Sequence, residues 1–179
     1  MSFPEIKTQR TRLIRLTEDY LDDLFSIFSD DLVTEYMDIY SMKSLEETKG
    51  EWVDWSNEIY DSGYGIRWGI LFEDHIIGTC GFHRIRKIEG KVVSDIGYDL
   101  GADYWGQGFI SEVVPAVLSY GYDVLGIEEV HACIYPENIK SIKSITRLGF
   151  KYIGNQVLEE KCKDRFTEEE VYVRLKSIE

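Results

Sequence analysis

Gly106 and Gly108 mark the stretch whose residue types and spacing most directly suggest chemistry. They lie in Trp105-Gly106-Gln107-Gly108-Phe109-Ile110-Ser111-Glu112, behind the run Asp95-Ile96-Gly97-Tyr98-Asp99-Leu100 and a short turn through Gly101. Glycine has no Cβ and lets the backbone turn sharply. The helix that follows opens with N–H groups that have no partner inside it. A strand, a glycine loop and a helix start in that order make a phosphate cradle built from main-chain donors. The loop is not a P-loop, because no Gly-Lys-Ser/Thr follows, and Ser111 stands where a dinucleotide fingerprint has its third glycine. A tight turn with no ligand is spelled the same way, so the rest of the chain must decide.

Other chemistries find less support. The three cysteines (Cys80, Cys133, Cys162) are far apart and odd in number. Two of them sit in apolar, strand-like runs, which fits buried free thiols in a reducing cytoplasm. His75, His83 and His131 are scattered, and no Cys/His cluster has metal-ligand spacing, so no metal is expected. A net charge of −13 argues against nucleic-acid binding, which needs a positive field to replace counterions. It favours a cationic partner such as an amine or a basic protein tail, and it also serves solubility.

The positioning elements follow from length and pattern. With 179 residues, 44% of them hydrophobic and 30% charged, one globular domain over residues 1–179 with a real core is expected. The chain has no apolar run of membrane-spanning length, and Met1-Ser2-Phe3-Pro4-Glu5 lacks the blocks of a signal peptide. Thr11 to Leu16 alternates as a strand. Thr17 then caps a helix carrying Leu21, Leu24, Phe25 and Phe28, and Ser44 with Glu47 makes a capping box for a second, with Trp52, Trp55 and Ile59 in its apolar stripe. Residues 66–72, 75–82 and 91–100 read as an antiparallel meander, with the glycines of the second strand marking a bulge or a close backbone approach. A helix over 108–125 follows the glycine loop, and a strand over 129–135 lies parallel to the one before it. Asn138 caps a helix that Gly149 stops. Residues 151–157 and 171–175 then form a hairpin around a charged turn, 159–170. The pattern is an α+β domain with a mixed sheet.

In that order, Ile96-Gly97-Tyr98-x-Leu100, Trp105-Gly-Gln-Gly-Phe-Ile-Ser-Glu112 and Asn138-x-x-Ser141…Gly149-Phe150 resemble the GNAT superfamily of acetyl-CoA-dependent N-acetyltransferases, in particular its RimJ/RimL-like branch. The resemblance runs from about Thr11 to Leu175. It implies a mostly antiparallel sheet with flanking helices and a V-shaped split between two central parallel strands. It also implies acetyl-CoA as cosubstrate, held by Asp99, Leu100, Gln107, Gly108, Phe109, Ile110, Ser111, Asn138 and Ser141. Trp105 replaces the superfamily's Gln/Arg. Ile110 replaces a small residue, which would crowd the phosphate arm.

The same resemblance implies direct acetyl transfer to a primary amine, with the N–H near Leu100 as oxyanion donor and Ser141 as acid, since Ile145 stands where many members carry tyrosine. A capping role for Asn138 and Ser141 is the alternative. For the base, counting past Gly149-Phe150 reaches Glu160, with Glu112 and Asp99 as rivals, and the base is expected near the cleft with a raised pKa. The acceptor is a protein N-terminus or a small amine such as a polyamine or aminoglycoside. Analogy adds a homodimer. A non-catalytic acyl-CoA-binding module and an acidic interaction protein are the competing classes.

Overall fold

A computed structural model describes residues 3–176. Among them, eight strands form one sheet: β1 (Ile6–Lys7), β2 (Arg12–Ile14), β3 (Ile66–Phe72), β4 (His75–Ile88), β5 (Lys91–Leu100), β6 (Glu129–Ile134), β7 (Lys151–Glu160) and β8 (Arg165–Leu175). Their order across the sheet is β1-β2-β3-β4-β5-β6-β8-β7. Every neighbouring pair is antiparallel except β5 and β6.

Two apolar cores form on opposite faces, as strand alternation requires. On one face, Trp68, Ile70, Phe82, Ile96 and Val130 pack under Val113, Val117 and Leu118, which belong to helix α5 (Phe109–Asp123). On the other, Ile14, Leu71 and Ile76 meet Leu24 and Phe28 of helix α1 (Leu21–Phe28). A short helix α2 (Asp31–Thr34) and a second helical run complete that side. The run is continuous from α3 (Leu45–Thr48) through a π-helical stretch, Lys49–Asp54, into α4 (Trp55–Asp61). Trp52 in that stretch stacks on Phe28 with ring centres 3.6 Å apart. Helix α6 (Ile139–Arg147) joins the α5 side and buries Ile145.

The local expectations hold in part. Ser44 Oγ accepts from the N–H of Glu47, but the Glu47 carboxylate returns to the N–H of Lys43, one residue earlier than a capping box has it. Thr17 makes no side-chain cap and precedes a 3-10 turn. The second meander strand runs on to Ile88, because Glu89 and Gly90 both take positive φ, 49° and 86°, the geometry of a tight hairpin turn. Gly78 and Gly81 are places of close approach. A Cβ at Gly81 would collide with the Ile66 carbonyl oxygen and one at Gly78 with that of Asp99.

The terminal hairpin departs from expectation. Its strands extend over 151–160 and 165–175, so the turn is only residues 161–164. The charged residues are ladder partners, not loop. Arg165 Nε donates to Glu160 at 2.9 Å and Gln156 Nε2 to Glu169 at 3.0 Å, the cross-strand pairing that stabilises a sheet.

Replacing Gly81 by alanine should cost about 3 kcal/mol or more, since backbone cannot yield as a side chain does. Gly50→Ala, with no atom within 4 Å of the new Cβ, should instead gain about 0.5–1 kcal/mol. Urea midpoints measure both, and equal midpoints would contradict the packing described.

Candidate active site at the split between β5 and β6

The parallel ladder holds three residue pairs, Val93↔Glu129, Ser94↔Val130 and Asp95↔His131. Beyond them β5 stays paired with β4 as far as Leu100, and β6 stays paired with β8 as far as Ile134. The sheet therefore opens between residues 96–100 and 132–134. Because the N–H of Gly101 donates to Ile77 on β4 at 2.9 Å, alternation along the strand turns the N–H of Leu100 to the other edge, into the opening. The Leu100 carbonyl, on that same edge, accepts from the Trp105 indole at 2.9 Å. Lys140 of α6 places its ammonium 4.3 Å from the centre of that ring. Trp105 thus ties the end of β5 to the loop behind it.

The loop has the geometry that its glycines suggest. Gly106 and Gly108 sit at φ 73° and 82°, in the left-handed region where a side chain is strained. The first helical bond of α5 comes from Glu112 N to Gly108 O at 3.2 Å. Among the described residues, no N–H from Gly106 to Ser111 donates to a backbone or side-chain acceptor. Six successive main-chain donors at a helix N-terminus suit a diphosphate. The Ile110 side chain packs on the apolar core, so the expected crowding of the phosphate arm is met by a side chain directed inward.

Asn138 and Ser141 lie at the start of α6. Asn138 Oδ1 accepts from the N–H of Ser141 at 3.2 Å, a helix cap. The Ser141 hydroxyl is 2.7 Å from the hydroxyl of Tyr98, which burial holds well above the usual phenol range despite that hydrogen bond. Tyr98 belongs to the run Ile96-Gly97-Tyr98-x-Leu100, yet its partnership with Ser141 spans 43 residues and leaves no local trace in the sequence.

The acids fall in separate places. Asp99 turns to the face carrying α1–α4, where it is ion-paired with buried Arg67 and accepts from Thr79 Oγ1 at 3.2 Å. The Arg67 guanidinium lies over Gly97, where a Cβ would be 2.5 Å from it. Glu112 is enclosed by Thr8 and Arg10, and their hydrogen bonds more than reverse the upward push of burial, so its pKa is lowered. Glu160 is fully buried. It accepts from the Tyr135 hydroxyl at 2.7 Å and from Arg165, which again outweigh burial and hold its pKa down.

Glu169 behaves differently. It is 6% exposed, and burial first, then neighbouring Asp95 and Glu160, raise its pKa against the pull of Gln156 and Arg84. The register, Cys133 opposite Val171, puts it one pair beyond the end of β6, beside Tyr135, on the face that Asp99 shares. The sequence pattern puts it inside the charged turn 159–170, whereas the structure has it in β8. Its strand parity with buried Val171 was the available signal.

Burial raises the Cys80 thiol to about 12 and Cys133 to about 11, so neither is a ready nucleophile. Among the described residues, no group of three or more His, Cys, Asp or Glu side chains can hold a metal ion, and no helix is long and apolar enough to cross a membrane.

The profile of the family described as "Acetyltransferase (GNAT) domain" matches residues 10–151. The chain is 33% identical over 171 residues to the uncharacterized N-acetyltransferase p20 of Bacillus licheniformis, covering 94% of each chain. It is 33% identical over 154 residues to the uncharacterized N-acetyltransferase YoaA of Bacillus subtilis (strain 168), covering 85% of each. Its fold matches an acetyl transferase of Salmonella typhimurium that modifies the N-terminal serine of ribosomal protein L7/L12. That match has a TM-score of 0.83 at 20% identity over 97% of this chain and 100% of the other. It also matches RimL, a ribosomal L7/L12 α-N-protein acetyltransferase solved with coenzyme A, with a TM-score of 0.82 at 20% identity over 96% and 98%. With the family profile spanning most of its length and its fold and donor loop in agreement, the chain belongs to the GNAT acetyltransferase family: it is an N-acetyltransferase with acetyl-CoA as its cosubstrate.

Proposed function

We propose that this enzyme moves the acetyl group of acetyl-CoA directly to a primary amine, with a protein N-terminus as the acceptor. The observation that carries the reading is the strand split, which opens beside six uncommitted loop amides. Acetyl-CoA supplies an acyl thioester, and the protein must supply an oxyanion donor, a neutral amine and a proton for the departing sulfur. The loop amides from Gln107 to Ser111 would orient the diphosphate, and Asn138, whose Oδ1 caps α6, would contact the pantetheine arm that follows. Leu100 N–H is the oxyanion donor. Ser141, backed by Tyr98, holds the proton for the sulfur.

The base is Glu169, not Glu160 or Glu112. Both oxygens of Glu160 and Glu112 are occupied by cationic or hydroxyl donors, and their lowered pKa makes them poor proton acceptors. Neighbouring carboxylates whose environments push their pKa values apart divide their tasks. Ionised Glu160 fixes Tyr135 and Arg165, and Glu169 takes the proton of the amine. The acidic net charge and the N-terminal acetylation described for the two solved relatives support a protein N-terminus.

A second acceptor class has its own observation. Asp38, in the loop after α2, accepts from the N–H groups of Lys161 and Cys162 in the β7–β8 turn, and the Tyr36 ring lies 6.1 Å from Tyr135. That contact roofs the face that would receive the acceptor, which suits a small amine.

Mixing the enzyme with acetyl-CoA and N-terminal peptides, polyamines or aminoglycosides should release free thiol, with peptides turning over fastest. Coenzyme A binding without thiol release across the whole panel would mean a non-catalytic module. Ser141→Ala should lower kcat by about 10²-fold, within the range of general acid–base contributions. The carboxylate limb of the wild-type pH profile should lie above an ordinary glutamate's, because a base with a raised pKa is protonated to higher pH. Glu169→Gln should remove that limb, and a limb that survives in the variant rules Glu169 out.

A further inference from the structure

Arg10 reaches the donor loop from a segment about a hundred residues away in sequence. Its Nη1 donates to the Gln107 carbonyl at 3.1 Å and its Nε to Glu112 Oε2 at 2.7 Å. Its own backbone N–H donates to Glu112 Oε1 at 2.6 Å, and the Thr8 hydroxyl donates to that same oxygen at 2.5 Å. The guanidinium carbon lies 4.1 Å from the centre of the Phe109 ring. Arg10 therefore contacts Gln107 in the loop and Phe109 and Glu112 in the first turn of α5.

We infer that Arg10 is a positioning residue for coenzyme A, setting the Gln107–Gly108 peptide so that the loop amides converge on the diphosphate. This rests on the acetyl-CoA reading of the loop. In a planar trans peptide the C=O and the following N–H point in opposite directions. With Gln107 O held by Arg10, the N–H of Gly108 is turned to the opposite side, away from the guanidinium. Gly106 and Gly108 give the loop its turn but also leave it free to take others, and the Arg10 contacts remove that freedom before the ligand arrives, which lowers the ordering cost of binding. The charge of Arg10 is matched by that of Glu112, so its part is to orient and not to attract. Thr8 serves the same arrangement by holding Glu112.

The test compares wild type, Arg10→Met, Arg10→Lys and a control, Arg12→Met, whose guanidinium pairs with exposed Glu5. Calorimetry gives the Kd for coenzyme A, steady-state kinetics separates kcat from the two KM values, and urea midpoints report folding. Arg10→Met should raise both the coenzyme A Kd and the acetyl-CoA KM by about tenfold, the scale of one lost charge-assisted hydrogen bond. The kcat at saturation and the acceptor KM should stay within about twofold of wild type, since neither depends on that bond. Arg12→Met should change none of these. Arg10→Lys keeps the charge but cannot donate to Glu112 and Gln107 together, so it should resemble Arg10→Met. It also carries the test if the methionine variant fails to fold. A wild-type Kd in Arg10→Met, or full affinity in Arg10→Lys, would overturn the positioning role. A wild-type protein that binds no coenzyme A would remove the acetyl-CoA reading itself.

Discussion

The structure depends on a hydrogen-bond ladder that stops early. β5 is held along one edge by β4 through Leu100 but along the other by β6 only at residues 93–95. Strand backbone must place its polar groups somewhere, and here the last residues of β5 direct theirs into an opening. Trp105 takes the Leu100 carbonyl, which fixes the strand end while leaving the N–H of Leu100 aimed into the gap. The chain then turns through two left-handed glycines into α5, so uncommitted donors from the strand, the loop and the helix start gather at one corner. A donor set fixed in advance is what stabilises developing charge without reorganisation.

Around that corner the sheet separates two environments. The face under α5 and α6 is apolar, with Phe82, Ile96, Phe109 and Ile134 buried and the Tyr98–Ser141 pair at its margin. The opposite face near the split is charged: Arg67 with Asp99, Arg84 and Arg86 with Asp95, Arg165 with Glu160. Of these, only the Arg67–Asp99 pair has both partners largely buried; such a pair contributes little net stability, but removing one partner leaves an uncompensated charge, at a cost of about 3–5 kcal/mol. Among these carboxylates Glu160 has its pKa held down, by hydrogen bonds from Arg165 and Tyr135 that outweigh burial. Glu169, with an amide and not a cation as its direct hydrogen-bond partner, is the exception that the surrounding pairs isolate. His83, on the same face, is held neutral, its pKa lowered to about 4 by burial and by Arg67.

The donor loop was legible in the sequence because its demands are local. Gly106 and Gly108 must take positive φ, and only the order of strand, loop and helix gives them a use. The parallel placement of residues 129–135 followed from the helices on either side of it. The hairpin was misread because Glu159, Glu160, Glu168, Glu169 and Glu170 look like a solvated turn, whereas alternation exposes Glu159 and Glu168 and buries Glu160 and Glu169. A bulge between Tyr152 and Gly154 also shifts the register of β7 against β8, and no sequence pattern marks it. Arg10 and Glu112, and Tyr98 and Ser141, pair across long stretches of chain. Nothing short of the register brings them together.

The most direct measurement follows backbone amide resonances of the nitrogen-15-labelled protein as coenzyme A is added. If main-chain donors past Trp105 grip the diphosphate, the amides of Gln107 to Ser111 move most and saturate together, and that of Leu100 responds once an acyl thioester analogue is used. Binding that leaves those amides in place while resonances elsewhere shift would contradict the account at its centre.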